Sequence, residues 1–178
     1  MPIDLPLPDL PPDAHGRIVV GYSGGLDSGV LLHALARTPA LRARGLRAVH
    51  VHHDLQAGAN EWAAHCVAIC ARLEVPCSVH RIDVPRDGGA GLEAAARAAR
   101  HAVFAAQLDA GDVLVLAHHR DDQAETVLLR ALRASGPDGL SAMRPLRPFA
   151  NAWLWRPLLA LPRAQLHAYA RAHGLEWI

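Results

Sequence analysis

Apolar and polar positions along the chain form blocks whose period switches repeatedly. Ile18-Val19-Val20-Gly21-Tyr22 is a β-branched run closed by a turn signal, which predicts a buried strand. After Ser23-Gly24-Gly25, Val30, Leu31, Ala34 and Leu35 recur at helical spacing, and that helix must stop before Pro39. Residues 46–51 read as a second strand. From about 60 to 73, Trp62, Cys66, Ile69, Cys70 and Leu73 share one helical stripe. Residues 77–84 alternate as a third strand. A glycine loop, Gly88-Gly89-Ala90-Gly91, leads into an alanine-rich helix over 92–108. Val113-Leu114-Val115-Leu116-Ala117 is a fourth buried strand, and a helix follows through 123–132. Beyond the glycine-rich turn at 135–139, Pro162 opens a last helix and Gly174 closes it.

Strands alternating with helices predict an α/β fold: a doubly wound, Rossmann-like parallel sheet with helices on both faces. Such sheets bind ligands at the carboxyl ends of their strands, near the point where strand order reverses. Three polar clusters follow predicted strand ends: residues 23–28, 50–54 and 118–125. One active site built from all three is the main functional expectation.

Composition narrows the class. The 178 residues are 51% apolar and 20% charged, enough for one domain with a large core. The apolar runs are shorter than a membrane helix needs, and the proline-rich acidic start does not resemble a secretion signal. Three sparse cysteines suggest a reducing compartment, so a soluble, cytoplasmic domain is expected. Charge is unevenly placed. Residues 1–129 carry eleven Arg against fifteen Asp and Glu, or −4, and residues 130–178 carry seven Arg against two acids, or +5. The basic tail reads either as a footprint for a polyanion or as a solvated helical face. All eighteen basic residues are Arg. The absence of Lys excludes a Walker-type phosphate loop and a Schiff-base lysine.

Tyr22-Ser23-Gly24-Gly25-Leu26-Asp27-Ser28 joins the first strand to the first helix. Two glycines permit close approach of backbone amides to an anion, and the helix adds free N–H groups and the positive end of its dipole. Ser23 and Ser28 supply hydroxyls. A carboxylate at Asp27 repels phosphate unless it holds a bridging Mg²⁺; the plainer reading is that Asp27 or Ser23 caps the helix. The string Ser-Gly-Gly-Leu-Asp-Ser after an apolar strand resembles the pyrophosphatase loop of the N-type ATP pyrophosphatase, or PP-loop, superfamily. The resemblance implies cleavage of ATP between its α and β phosphates.

The segment Leu116-Ala117-His118-His119-Arg120-Asp121-Asp122-Gln123-Ala124-Glu125-Thr126 concentrates two imidazoles and three carboxylates after a buried strand. Asp122 and Glu125 would share one helical face, suited to a cation; carboxylates in a first turn also serve the helix dipole. Together with the loop, this segment resembles the tRNA(Ile)-lysidine synthase family. The resemblance continues through 46–53, Trp62 with Cys66 to Cys70, Gly91-Leu92-Glu93 with Ala96-Arg97, residues 133–143 and Arg156-Pro157-Leu158-Leu159, covering roughly 17–178. Asp54, His52, His101 and Ala134 depart from the residues usual in that family. By the same resemblance, residues 1–15 form a proline-rich N-terminal extension. Residues 16–178 form the PP-loop catalytic domain, ending ahead of C-terminal tRNA-binding domains.

The resemblance implies an ATP-dependent carbon–nitrogen ligase acting on the wobble cytidine of a CAU anticodon in tRNA(Ile). ATP adenylates the C2 oxygen, and free L-lysine then displaces AMP to form lysidine. On this reading Ser23, Gly24, Gly25, Leu26, Asp27 and Ser28 cradle pyrophosphate, with Asp27 holding Mg²⁺. The backbone at His50 and Val51 flanks adenine, and Arg97 neutralises charge on the α-phosphate or the leaving AMP. Asp121, Asp122 and Glu125 are candidates for lysine or metal contact. His118 or His119 could accept a proton near neutral pH, or merely satisfy a local hydrogen bond. Arg130, Arg133, Arg144 and Arg147 are the cations best placed for the anticodon stem backbone. The oligomeric state stays open, a homodimer among the options. Two rivals are a tRNA thiolase of the two-thiocytidine type and an ATP-binding module without catalysis. The first needs cysteines for sulfur handling, whereas the spacing of Cys66 and Cys70 reads as core packing.

Overall fold

The computed structural model describes residues 5–11, 13–52, 58–82, 92–132 and 142–178. Six strands form one sheet: β1 (Ile18–Gly21), β2 (Arg47–His52), β3 (Cys77–Arg81), β4 (Val113–Val115), β5 (Leu146–Phe149) and β6 (Ala152–Trp155). Their spatial order is β3-β2-β1-β4-β6-β5, parallel throughout except for β5, which pairs antiparallel with β6 at the edge. The six helices are α1 (Leu26–Ala36), α2 (Pro39–Arg42), α3 (Ala59–Arg72), α4 (Leu92–Ala106), α5 (Arg120–Leu132) and α6 (Arg163–Ala172). The chain builds outward from β1 to β3 and then crosses back to β4. The reversal of strand order therefore falls between β1 and β4, where a ligand crevice is expected.

Alternation along the strands feeds two cores. Ile18, Val20, Val113, Val115 and Trp155 face Leu31, Leu35, Cys66, Cys70, Leu166 and Tyr169 from α1, α3 and α6. Val19, Val49, Val51, Leu114 and Leu154 face Phe104 and Leu108 on the α4 side. Helices on both faces are thus observed, and the near-continuous apolar strands are those of a sheet buried twice. The stripe expected on α3 points inward, with Cys66 and Cys70 fully buried. The proline-rich start is not detached from this core: Leu5 and Ala14 are buried and Leu7 and Leu10 pack against the cluster. None of the described helices is long and apolar enough to cross a membrane.

One structural contact gives a pH dependence. His33 on α1 pairs its Nδ1 with the Tyr169 hydroxyl of α6 at 2.9 Å, and the His173 ring tilts against Tyr169 at 4.2 Å. Burial, then the neighbouring His173 and Arg37, push His33 down to about 4. The unfolded chain, with an ordinary imidazole near 6.5, binds the extra proton first as pH falls. The contribution is therefore complete above about pH 6.5 and lost by about pH 4, up to roughly 3 kcal/mol. Urea denaturation at pH 7, 5.5 and 4.5 should show this slope, and His33→Gln should reduce it, while His118, also pushed down to about 4 by burial, keeps its own share. An unchanged slope in the variant would remove His33 as its source.

Candidate functional site

The β1–α1 connection is a closed hydrogen-bond circuit. Ser28 Oγ donates to the Gly25 carbonyl at 3.1 Å and accepts from the Ser23 amide at 3.2 Å. Since that proton is committed, the Ser23 hydroxyl donates to Ser28 Oγ at 2.9 Å and accepts from the Gly25 amide at 3.4 Å. The N-cap of α1 is Gly25, without any side-chain cap. Neither Asp27 nor Ser23 is therefore a helix cap. The first-turn amides of α1 remain available to an anion.

Above this loop lies a cavity of about 610 Å³ at the carboxyl ends of β1, β2 and β4. Gly21, Tyr22, Ser23, Asp27 and Ser28 form its floor, and Val49, His50, Val51 and His52 one wall. Trp62 of α3, Arg97, Arg100 and Phe104 of α4, and Leu116, Ala117, His118 and Asp122 close the rest. The three polar clusters do converge. Their contributions differ, however. Of the three carboxylates in the second segment, Asp122 lines the cavity, whereas Asp121 and Glu125 are exposed on α5 and do not. Arg130 is half-buried on α5, Arg144 is exposed, and Arg147 is half-buried with its guanidinium 5.7 Å from the Phe149 ring centre. Arg133, Asp54, the 88–91 loop and the 134–141 turn lie outside the described residues, as do the side chains of Leu92 and Glu93.

The two histidines are sharply distinct. His119 is 5% exposed and sits between two carboxylates, Nε2 at 3.6 Å from Asp27 and Nδ1 at 3.5 Å from Asp122. Asp122 in turn accepts the His119 amide at 2.8 Å, as in an N-terminal cap. His118 instead accepts a hydrogen bond at Nδ1 from Arg156 Nε, 3.2 Å away. Burial foremost, then Arg156, push it down to about 4, with Asp122 opposing and Arg97 and Arg100 adding to the fall. With Nδ1 engaged by Arg156 and cations around it, His118 suits hydrogen bonding in its neutral form. His50 is also held neutral, by burial, while its Nδ1–H donates to the Tyr22 carbonyl at 2.9 Å.

Arg97 and Arg100 line one side of the cavity, and Arg156 stands outside that lining, bonded to His118. Arg156, 4% exposed, is pushed down to about 10 by burial, Arg147 and Arg97, and Arg100 is lowered by burial and Arg97. No described carboxylate pairs with Arg97, Arg100 or Arg156. Unpaired guanidinium groups around a cavity select an anion, and their planar forks suit phosphoryl oxygens. Arg100 and Arg156 were not among the expected site residues. Arg100 had a readable signal, three residues after Arg97 on one helical face.

Asp27 Oδ1 is buried without a hydrogen bond among the described residues; Arg163 Nε is 3.6 Å away. A carboxylate that lines the cavity beside free amides fits Mg²⁺, which binds through one or two carboxylates and substrate phosphates.

A mostly parallel sheet, a glycine-rich strand-to-helix loop and the cavity above it define an α/β domain of the phosphate-loop type. The PP-loop domain family model matches residues 7–178, and the chain belongs to that family. Its relatives include a tRNA(Ile)-lysidine synthase of Xanthomonas axonopodis pv. citri, 62% identical over 177 residues that are 99% of this chain and 40% of that protein. A tRNA(Ile)-lysidine synthase of Xylella fastidiosa strain Temecula1 is 53% identical over 178 residues, 100% of this chain and 40% of that protein. The chain thus spans about 40% of the length of the curated relatives it matches. Among solved structures, the U34-tRNA thiolase NcsA from Methanococcus maripaludis with its [4Fe-4S] cluster superposes with a TM-score of 0.72 at 16% identity, covering 95% of this chain and 61% of that one. An NH3-dependent NAD synthetase from Campylobacter jejuni gives 0.56 at 16%, covering 90% and 65%. At that identity the likeness is one of fold.

Proposed function

We propose that this chain is the N-terminal catalytic domain, residues 16–178, of an ATP-dependent ligase that joins lysine to C2 of the wobble cytidine in the CAU anticodon of tRNA(Ile). The observation that carries this reading is the meeting of the phosphate loop with His118, Asp122 and the two arginines Arg97 and Arg100 in one cavity. Identity of 53–62% to lysidine synthases over essentially the whole chain supports the choice of substrate. In the first step the C2 oxygen attacks the α-phosphorus and pyrophosphate leaves. Positioning and charge neutralisation supply most of the catalysis there. Residues 23–28 receive the pyrophosphate, the β2 wall at His50 and Val51 flanks adenine, and Arg97 with Arg100 faces the α-phosphate. Mg²⁺ held by Asp27 would neutralise charge between the phosphates. In the second step the lysine amine attacks C2 and AMP leaves. Asp122 and Glu125 hold that amine from the α5 side, with Asp121 beside them. The wobble base must leave its stack to reach the cavity. Arg130, Arg144 and Arg147, with Arg133, meet the stem backbone.

Pyrophosphate release from Mg-ATP, measured with buffer, lysine, CAU isoleucine tRNA or an unrelated tRNA, tests the reading. Release that requires the CAU tRNA is expected; release with any tRNA, or ATP binding without release, points to another PP-loop activity or a binding module. Glu125→Gln should raise the lysine requirement about tenfold or more and leave ATP use within about twofold, since this exposed carboxylate on α5 does not line the cavity over the phosphate loop. Equal loss of both would reassign Glu125 to the metal.

A further inference from the structure

Arg156 touches no cavity surface of its own, yet it is a nearly buried cation whose described partners are an imidazole and a carbonyl. Its Nε donates to His118 Nδ1 at 3.2 Å and its Nη1 donates to the Arg144 carbonyl at 2.9 Å. The residue closes β6, and Arg156 N donates to the Pro145 carbonyl at 2.7 Å, so backbone and side chain are both fixed. A guanidinium has no acceptor atom and does not lose its proton. Its Nε–H can therefore face only an unprotonated Nδ1. In neutral imidazole the proton is then on Nε2, and His118 lines the cavity without another partner among the described residues.

We propose that Arg156 is a positioning residue that locks His118 as its Nε2–H tautomer, making His118 a hydrogen-bond donor to an anionic phosphoryl oxygen in the cavity rather than a proton acceptor. The lock works twice. A second proton on Nδ1 would break the bond from Arg156, and it would add charge beside Arg97 and Arg100 of α4 and Arg156 itself. Asp122 of α5 is the one carboxylate among the groups that act on the ring from its surroundings. The phosphoryl identity of the acceptor rests on the proposed ATP reaction; the tautomer does not.

The test is long-range ¹⁵N imidazole spectroscopy of the chain from pH 8 to 5, with His118→Gln to assign the signals. Unprotonated Nδ1 and protonated Nε2 across this range are expected. A proton on Nδ1, or an imidazolium forming near pH 6.5, would overturn the lock. Arg156→Lys keeps the charge and removes the fixed Nε donor; a second tautomer should then appear, and an unchanged His118 spectrum would overturn Arg156 as its cause. Should that variant not fold, the wild-type spectrum still decides. For catalysis, His118→Ala should lower pyrophosphate release on the order of a hundredfold and His118→Gln, which donates but is not basic, by about tenfold at most. Equal losses in the two variants would overturn the donor role. No release from the wild type with any tRNA would defeat the ligase reading and leave the spectroscopic result standing.

Discussion

Asp27→Ala is expected to reduce tRNA-dependent pyrophosphate release by about a hundred- to a thousandfold while shifting the melting temperature by only a few degrees. The two halves of that expectation come from different parts of the geometry. Asp27 is not the cap of α1, which begins at Gly25 without a side-chain bond. Its contacts to His119 Nε2 and Arg163 Nε are both 3.6 Å, too long for a hydrogen bond. Losing them, together with a carboxylate in the first turn of α1, costs about 0.3–1 kcal/mol. The functional loss comes from Oδ1, buried and unbonded at the cavity floor. Asp27→Asn sharpens the test. Without a divalent cation, removing the negative charge should tighten ATP binding, because carboxylate and phosphate repel; with Mg²⁺ the same change should weaken it. ATP titrations by calorimetry, with and without EDTA, read this inversion. Full pyrophosphate release by Asp27→Ala would end the cation-bridge role.

The fold was legible where periodicity is strong. The strands at 18–21 and 113–115 are apolar runs, β2 interleaves Ala48, Val49 and Val51 with His50 and His52, and α1, α3 and α6 carry a readable stripe or cap. The hairpin of β5 and β6 was not legible. Leu146-Arg147-Pro148-Phe149 has a proline and a cation in four residues, and Pro148 is tolerated only because β5 is the sheet edge. Its turn at Ala150, φ 52°, has no glycine to announce it. Missing that hairpin concealed the chemistry of His118. Arg156 reaches it across 38 positions of sequence, and only because β6 lies beside β4. The convergence of three polar clusters, by contrast, follows from topology alone once the strands are parallel. Which of two adjacent histidines lines the cavity is a matter of backbone direction after β4, which residue types do not encode.

Gly24→Ala should cost about 1–3 kcal/mol of stability and lower ATP affinity on the order of a hundredfold, and the reason lies in the fold rather than in the phosphate. Gly24 has φ +86°, a conformation in which a side chain is strained anywhere. A Cβ there would also stand 2.6 Å from Trp62 Nε1 and 2.8 Å from Cys66 Sγ. Cys66 is fully buried in the α3 interface, so it has nowhere to move, and the loop must yield instead. When it yields, the Ser23–Ser28 circuit that aims the amides opens with it. Neighbouring glycines provide the controls. At Gly25 the nearest atom to an added Cβ is Ser23 Oγ at 3.5 Å, an ordinary contact, so Gly25→Ala should fold normally and lose only ligand affinity. At Gly29, inside α1, an added Cβ meets nothing within 4 Å, so Gly29→Ala should gain about 0.5–1 kcal/mol from helix propensity. Denaturant midpoints for the three variants, beside their ATP affinities, separate strain from steric exclusion of phosphate. Wild-type stability in Gly24→Ala would mean that α3 does not press on the loop as closely as these distances require.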